Sequence, residues 1–482
     1  MGSGHLMRCL ALADTLRERG AQTLFITSAS EQPWRALLRH HGHAVAALPG
    51  DATELDRDAS ATNAALQEMP LPDWLIVDHY GLGIEWESSM RASCGRIFAI
   101  DDVGRSHDCD LLLDQNVLDD DQAYENLVPL GCSRLLGPRY ALLREEFGKE
   151  RANCVARDRA FKRVLINFGG SDPTQEVGKA IDAFLAAPLD ESVCADVIFG
   201  PANSNAISIM QRYGGNRRLN LVTHTERMAA VMAEADLAIG AGGVSMWERA
   251  CLGLPSIVVT VADNQRTGAE WLAARGGHLL LGESATVTVQ HIAQALGCLA
   301  DNPRLRALFA RTGAALVDGR GCERVAARLL GGMIALRRAE SGDCDAIYAW
   351  RNAEVNRRYS GDERVFSIEA HRQWFANMTV DPSRIMLIGE ANCEPIGVLW
   401  FDLEGTEAVV SIYLVPGRHG MGWGESLLDC GADWLRARRP EIVTIRARVK
   451  RGNHASLVVF GRAGFVEAER IYSLSLHGSN MP

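Results

Sequence analysis

Several protein classes are excluded by what the chain lacks. None of its 12 cysteines stands in a CxxC pair or other metal-type spacing, so they read as reduced thiols, about half of them buried as small apolar side chains. There is no run of about 18 apolar residues, the minimum for a membrane-spanning helix. The first residues form a glycine-rich turn, where a signal segment would carry a basic and then an apolar stretch. These absences predict a cytoplasmic protein that does not engage a membrane. No basic stretch tracks a phosphate backbone, and Lys+Arg 50 against Asp+Glu 60 leaves a formal charge of -10, so nucleic acid is excluded as a partner. Internal repeats and low-complexity tracts are also missing.

What remains is an ordinary globular composition, 47% hydrophobic and 23% charged, spread over 482 residues. That length requires two or three separately packed cores. Short apolar runs at 23–27, 74–77, 97–100, 163–168, 197–199, 219–222, 237–239 and 256–261 alternate with stretches of helical spacing. Strands buried on both faces have this pattern, and their alternation with helices predicts parallel α/β layers. A charged stretch at 149–163 separates two sets of such units. A stronger break follows the helical segment 322–330, at 331–336. Beyond it, strands at 386–390, 395–403, 408–415 and 442–449 with interspersed helices predict an α+β domain. The expected domains are therefore 1–150 and 151–332, two Rossmann-like lobes facing a cleft, and 333–482.

Ligands of parallel α/β folds lie beyond the carboxyl ends of strands, so the polar and glycine-rich strand ends carry the chemistry. Gly2-Ser3-Gly4-His5 runs directly into a helical pattern with Leu6, Leu10, Ala13 and Leu16 on one face. A helix start of this kind presents free amides and a partial positive charge to an anion. His5 there fits a general base, and equally an N-cap residue without chemistry. Phe168-Gly169-Gly170-Ser171-Asp172 and Gly240-Ala241-Gly242-Gly243-Val244-Ser245 are two strand–turn–helix units suited to holding a diphosphate on backbone amides. Neither contains a phosphate-binding lysine. Glu248, on the helix after the second turn, suits a ribose diol or serves as a favourable N-terminal charge. Ala262-Asp263-Asn264-Gln265 brings a second polar cluster to the same edge, and Asp78-His79 is a further polar pair at a strand end.

Together these residues carry a resemblance. GSGHLMRCLALA, Val77-Asp78-His79-Tyr80 with Trp86-Glu87, Ile100-Asp101-Asp102, Leu113-Asp114-Gln115-Asn116, the block from Gly137 to Arg144, FGGSDPT, GAGGVSMWE and ADNQ resemble the UDP-sugar hydrolases of pseudaminic acid biosynthesis. That family has the two-lobed GT-B fold and is related to the glycosyltransferase of lipid II synthesis. The resemblance covers about residues 1–330, with the blocks in the family's order. It implies release of UDP from UDP-2,4-diacetamido-2,4,6-trideoxy-β-L-altropyranose without a metal. By motif, His5 is then the base. Gly4, Asp78, His79, Tyr80, Gly170, Ser171, Gly242, Gly243, Ser245, Glu248, Asn264 and Gln265 belong to the UDP and substrate site. The family has a strand before its GxGH turn, whereas Met1 immediately precedes Gly2 here, so the first strand of the sheet is expected to be missing.

In the last domain the strand ending at Val415 leads into Pro416-Gly417-Arg418-His419-Gly420-Met421-Gly422-Trp423-Gly424, a turn whose consecutive amides suit a pyrophosphate. Asn453-His454-Ala455-Ser456, Phe460 and Gly464-Phe465 follow one strand–helix unit later. The two blocks resemble the acyl-CoA site of GNAT acetyltransferases, and Trp350-Arg351-Asn352 resembles the branch that acts on protein N-termini and aminosugars. Acetyl-CoA is the implied cosubstrate, held by Val415, Gly420, Gly422, Gly424, Asn453 and Phe460. Without the resemblance, Asn453 reads as a helix cap and Phe460 as a core aromatic. Phe460 also stands where many GNAT enzymes keep a tyrosine acid, which leaves Tyr413, Tyr359 or water for that role.

The two resemblances describe consecutive steps on one UDP-aminosugar: acetylation of the 4-amino group, then loss of UDP. The alternatives are a related hydrolase or glycosyltransferase of another nonulosonic acid or surface-glycan pathway, joined to a GNAT domain acting on a different amine, protein amines included.

Overall fold

Chain segments rich in Val, Ile, Leu and Ala form short strands because both faces of each can be covered by helices. In the computed structural model residues 3–28, 32–48, 55–116, 123–151, 154, 160–223, 225–330, 334–358, 364–391, 394–450 and 452–468 are described. The chain divides into two compact units, Met1–Ala326 and Ala327–Pro482.

The first half of unit 1 contains β1 (Leu24–Ser28), β2 (Ala44–Leu48), β3 (Trp74–Val77), β4 (Arg96–Ile100), β5 (Leu111–Asp114) and β6 (Ser133–Leu136). β3 to β6 form a parallel sheet in sequence order, and β1 and β2 form a separate parallel pair. Buried Ile97, Ala99, Leu112, Trp86 and Met90 pack one face of the four-stranded sheet.

The second half contains β7 (Arg163–Asn167), β8 (Cys194–Ile198), β9 (Leu219–Val222), β10 (Leu237–Ala241), β11 (Ser256–Thr260) and β12 (Leu279–Glu283). All are parallel, in the order β12-β11-β10-β7-β8-β9. Val164 and Ile166 enter the core on one face and Leu165 the core on the other, as the two-residue period of a strand requires. From β7 the chain winds outward through β8 and β9, then returns to β10 on the other side. The order therefore reverses between β7 and β10, which places a crevice at their carboxyl ends. The FGGSD and GAGG turns leave from those two ends.

Unit 2 contains β13 (Ala335–Arg338), β14 (Arg384–Ala391), β15 (Glu394–Glu404), β16 (Glu407–Leu414) and β17 (Thr444–Ala447). The first four are antiparallel neighbours and β17 lies parallel to β16. A helix, Trp423–Arg438, lies close against the sheet: a Cβ built on Gly389 would stand 2.3 Å from Leu427 Cδ1.

The architecture is the expected pair of α/β halves followed by an α+β unit. Three details depart from the sequence reading. β8 starts at Cys194, earlier than 197, because Ala195 and Asp196 continue the ladder to β9 although only part of the segment is apolar. β17 is shorter than 442–449, since its only ladder is to β16 and Val443 is exposed. Four cysteines, Cys94, Cys109, Cys251 and Cys322, are buried among the eleven described, fewer than half. The charged stretch at 149–163 begins inside the helix Glu145–Arg151, and 152, 153 and 155–159 lie outside the described residues. So do Gly2, Tyr359 and 331–333.

Candidate active sites

The helix Ser3–Glu18 begins with the expected glycine turn. Three residues on from His5, hence on the same helical face, stands Arg8, which sequence reasoning passed over. Asp78, just past β3, receives both: its Oδ1 lies 2.6 Å from His5 Nδ1, and Arg8 donates from Nε to Oδ2 at 2.7 Å and from Nη2 to Oδ1 at 2.5 Å. Arg8 Nη1 also donates to Asp102 Oδ2 at 3.1 Å. Arg8 is 2% exposed and the Asp78 side chain 4%, so the pair is shielded from water and salt. Burial opposes ionisation of Asp78, but the hydrogen bonds and charge of Arg8 and His5 outweigh it and hold the carboxyl at about 2. An ionised Asp78 accepts a hydrogen bond from His5 Nδ1–H, which leaves Nε2 with its lone pair, the arrangement a general base needs.

Tyr80 sets its ring edge-on to His5, centroids 4.7 Å apart. Its hydroxyl accepts a 2.7 Å bond from Asn264 Nδ2 in the second half of the unit. Burial and the neighbouring Asp102 push the Tyr80 hydroxyl upward, so it remains protonated. Two more contacts join the halves: Trp247 Nε1 donates to Asn116 Oδ1 at 2.9 Å, and a Cβ on Gly4 would lie 3.5 Å from Val244 Cγ2. The amino ends of the helices Ser3–Glu18 and Val244–Cys251 thus approach one another, and both direct positive dipole ends toward an anion.

The two glycine turns at the β7/β10 crevice differ. The GAGG helix has Gly243 at its N-cap and no capping side chain. Its turn is braced from behind: Gln265 Oε1 accepts from the amides of Gly242 and Val261, while buried Arg249 donates to Ala241 O and to Ser245 Oγ. Burial lowers the Arg249 guanidinium to about 10, still charged at neutral pH. The FGGSD turn corrects an expectation. Asp172 caps the following helix, Glu176–Ala186, accepting from the amides of Glu176 at 2.8 Å and Val177 at 3.1 Å. Those amides are satisfied internally, and Gly170 O accepts from the amide of Ala202. Gln265, expected among ligand contacts, spends its oxygen on the turn. Glu248 sits 3.6 Å from Arg144 Nη2, with burial raising its carboxyl. His79 Nδ1 accepts from the amide of Gly81 in a turn and does not touch His5.

Behind the site, Asp101 accepts from Arg105 and from Tyr124, whose hydroxyl also lies 2.8 Å from Asp114. One hydroxyl proton cannot serve two carboxylates, and burial raises Asp114 to about 6. Asp78 and Asp114 therefore act oppositely on stability. The depressed Asp78 contributes stability above its ordinary value near 4, lost as pH falls toward 2, whereas the contribution of the raised Asp114 is present below about 4 and lost as pH rises through 6. From these two groups, urea denaturation should show stability rising by roughly 2 kcal/mol from pH 7 to 4, then falling by a similar amount toward pH 2. The acid fall should be smaller in Asp78→Asn and not abolished, because Asp101 is also held below its ordinary value by Arg105 and His107.

In unit 2, β16 and β17 pair from Glu407↔Thr444 to Val410↔Ala447 and no further. β16 continues to Leu414, so its last residues are without a ladder to β17 beside the glycine turn. Gly417, Gly420 and Gly422 have φ of 89°, 75° and 84°, a region open to glycine and costly for other residues. Gly422 is the N-cap of Trp423–Arg438, with no capping side chain. His419, where the motif has Arg or Gln, lies 3.0 Å from Asn356 Oδ1. Asn453 caps the helix His454–Arg462, its Oδ1 accepting from Ser456 N, and Phe460 is buried against Phe465. Both side chains therefore have the structural roles weighed for them. Arg351 lies over the rings of Phe366 and Trp374. Half-buried Tyr413, on the end of β16 that has no ladder to β17, has no hydrogen-bond partner for its hydroxyl among the described residues.

Residues 334–466 match the model of the acetyltransferase (GNAT) domain, and 165–314 that of the glycosyltransferase family 28 C-terminal domain. The UDP-2,4-diacetamido-2,4,6-trideoxy-β-L-altropyranose hydrolase of Campylobacter jejuni is 26% identical over 279 residues, 57% of this chain and 93% of its own. The crystal structure of Acinetobacter baumannii MurG superposes with a TM-score of 0.50 at 16% identity, over 68% of this chain and 96% of that one. The chain is a GT-B unit fused to a GNAT domain. The chain is also similar to an uncharacterised protein of Methanocaldococcus jannaschii, 25% identical over 55% of this chain, and to a spore coat polysaccharide biosynthesis protein of Bacillus subtilis, 29% identical over 40%. The chain spans 54% and 57% of the lengths of those two relatives. No helix among the described residues of the fusion is long and apolar enough to cross a membrane.

Of the functional geometry, Arg8, Asp102, Arg144 and the Asn116–Trp247 link were not singled out from sequence. Arg8 had a signal in its i+3 spacing from His5, and all of these residues lay within recognised blocks in which no role was assigned to them. The contact between the halves has no local signature.

Proposed function

We propose that the fusion carries out two successive steps on one nucleotide sugar. The GNAT domain transfers acetyl from acetyl-CoA to the 4-amino group of UDP-4-amino-4,6-dideoxy-N-acetyl-β-L-altrosamine. The GT-B unit then hydrolyses the resulting UDP-2,4-diacetamido sugar to UDP and free sugar. The observation carrying the second step is His5, held by Asp78, with no hydrogen bond to its Nε2 among the described residues and its ring against Tyr80, whose hydroxyl Asn264 holds. Likeness to the hydrolase over 57% of the chain supports it.

In hydrolysis, His5 Nε2 takes a proton from water as the water oxygen bonds to the anomeric carbon. The bond from that carbon to the diphosphate breaks, and UDP leaves as an anion. A diphosphate is a good leaving group, so amides and helix dipoles at the GAGG turn can hold its charge in place of a protonating acid. Glu248 and Gly242, Gly243 and Ser245 lie on the UDP side in this reading, with Asn264 and Tyr80 on the sugar side. In acetyl transfer, the neutral amine attacks the thioester carbonyl, the C–S bond breaks to release the CoA thiolate, and the proton lost from the nitrogen passes to solvent or the departing thiolate. The glycine turn before Trp423 holds the CoA pyrophosphate.

Incubating the full chain with the UDP-aminosugar, with and without acetyl-CoA, tests both steps by mass spectrometry. The expected products are the N-acetylated nucleotide sugar followed by UDP and free sugar, with hydrolysis unchanged by EDTA. Transfer of the sugar to an added acceptor would favour the glycosyltransferase reading, to which the family 28 match also lends weight. Acetylation of a peptide amine in place of the sugar would move the GNAT domain to another substrate.

A further inference from the structure

Cys109 lies just before β5 and Cys132 just before β6, 23 positions apart in sequence. Their sulfurs are 3.6 Å apart and share a hydrogen bond. The strands pair Leu111 with Ser133, and the bond from Ser133 N to Asp110 O extends the ladder to the residues adjoining both thiols. That register sets Cys132 opposite Asp110, one position from Cys109, so the two thiols meet diagonally across the ends of adjacent strands. The sulfurs are already in contact, so closure begins from a short approach of the two thiols. Cys109 is buried and Cys132 half-buried.

We propose that Cys109 and Cys132 form a reversible disulfide that staples β5 to β6. Half-buried Cys132 is the point of entry. Its thiolate attacks one sulfur of glutathione disulfide, displacing a glutathione thiolate and leaving a mixed disulfide. The Cys109 thiol, losing its proton to solvent, then attacks the Cys132 sulfur and displaces the second glutathione. Two electrons pass from the protein thiols to glutathione disulfide, which is reduced to two thiols. The hydrogen bond from Cys109, with Arg134 and His107 nearby, lowers the Cys132 thiol and favours this order of attack.

The position fits a staple better than an on–off switch. The thiols precede the amino ends of the strands, whereas Asp78, Asp102 and Asn116 follow the carboxyl ends of β3, β4 and β5. Closing the loop restricts the unfolded chain and leaves the opposite edge of the sheet untouched.

Treating the full-length protein with glutathione disulfide should give a product two hydrogens lighter. Peptide mapping without reductant should link the peptides containing Cys109 and Cys132. The thermal midpoint should rise by several degrees and return with dithiothreitol. Cys132→Ser, at a site only half-buried, should fold, lose the linked peptide and show no rise, while Cys94→Ala should behave as the wild type. Stable glutathione adducts on Cys132 with Cys109 unmodified, or a link that forms only in urea, would overturn the proposal.

Discussion

His5→Ala is expected to lower the turnover number for UDP-sugar hydrolysis by about 10²–10⁴, the usual contribution of a positioned general base. KM should change little, because the imidazole is assigned to a proton that moves in the transition state and not to ground-state binding. Asp78→Asn separates the base from its orientation. The amide retains the shape of the carboxylate but can present its NH₂ to Nδ1, which favours the other tautomer and puts the proton on Nε2. It also leaves the buried Arg8 with Asp102 as its remaining carboxylate partner. Turnover should therefore fall in this variant too, with the substitution costing stability because a buried charge loses its partner. Near-ultraviolet circular dichroism separates lost folding from lost chemistry. Wild-type turnover by a folded His5→Ala variant would remove the residue from the mechanism.

The second large effect is expected in the other unit. Gly422 has φ 84° at the N-cap of the helix Trp423–Arg438, where a β-branched residue is a severe backbone outlier. Its Cβ would also occupy the space through which backbone amides approach a phosphate. Gly422→Val should abolish acetyl transfer and CoA binding. Because the chain divides into separate compact units, hydrolysis of substrate supplied already acetylated should persist near the wild-type rate. Calorimetric titration with CoA and a release assay for UDP read the two outcomes independently. Loss of both activities in a folded protein would break the assignment of one reaction to each unit.

Much of this organisation is legible in the order of the residues. The run at 74–77 matches β3 residue for residue, since a strand covered on both faces must be continuously apolar, and the run at 219–222 matches the edge strand β9 although Asn220 interrupts it. The glycine turns before Val244 and Trp423 are legible because a helix start that approaches a ligand needs backbone without Cβ.

Residue by residue, the site divides along the same line. Local chemistry, an imidazole after GSG or a glycine at positive φ, is carried by neighbouring residues and can be read in order. Whether Asp172 caps its own helix, whether Gln265 is used up on the turn behind Gly242, and whether Asn453 is more than a cap depend on which lone pairs and amides are already engaged. The same holds for Asp78. Its sequence shows a carboxylate at a strand end, and only the packing of the helix Ser3–Glu18 against β3 brings Arg8 and His5 onto its two oxygens and sets its charge. A hydrogen bond between residues about 70 positions apart has no sequence period, because its partners are selected by the sheet order and the angle of a packed helix. The sequence alone determined the α/β and α+β layout, the two glycine-rich turns and the candidate base. The tertiary structure decided which polar groups remain unengaged to meet a substrate.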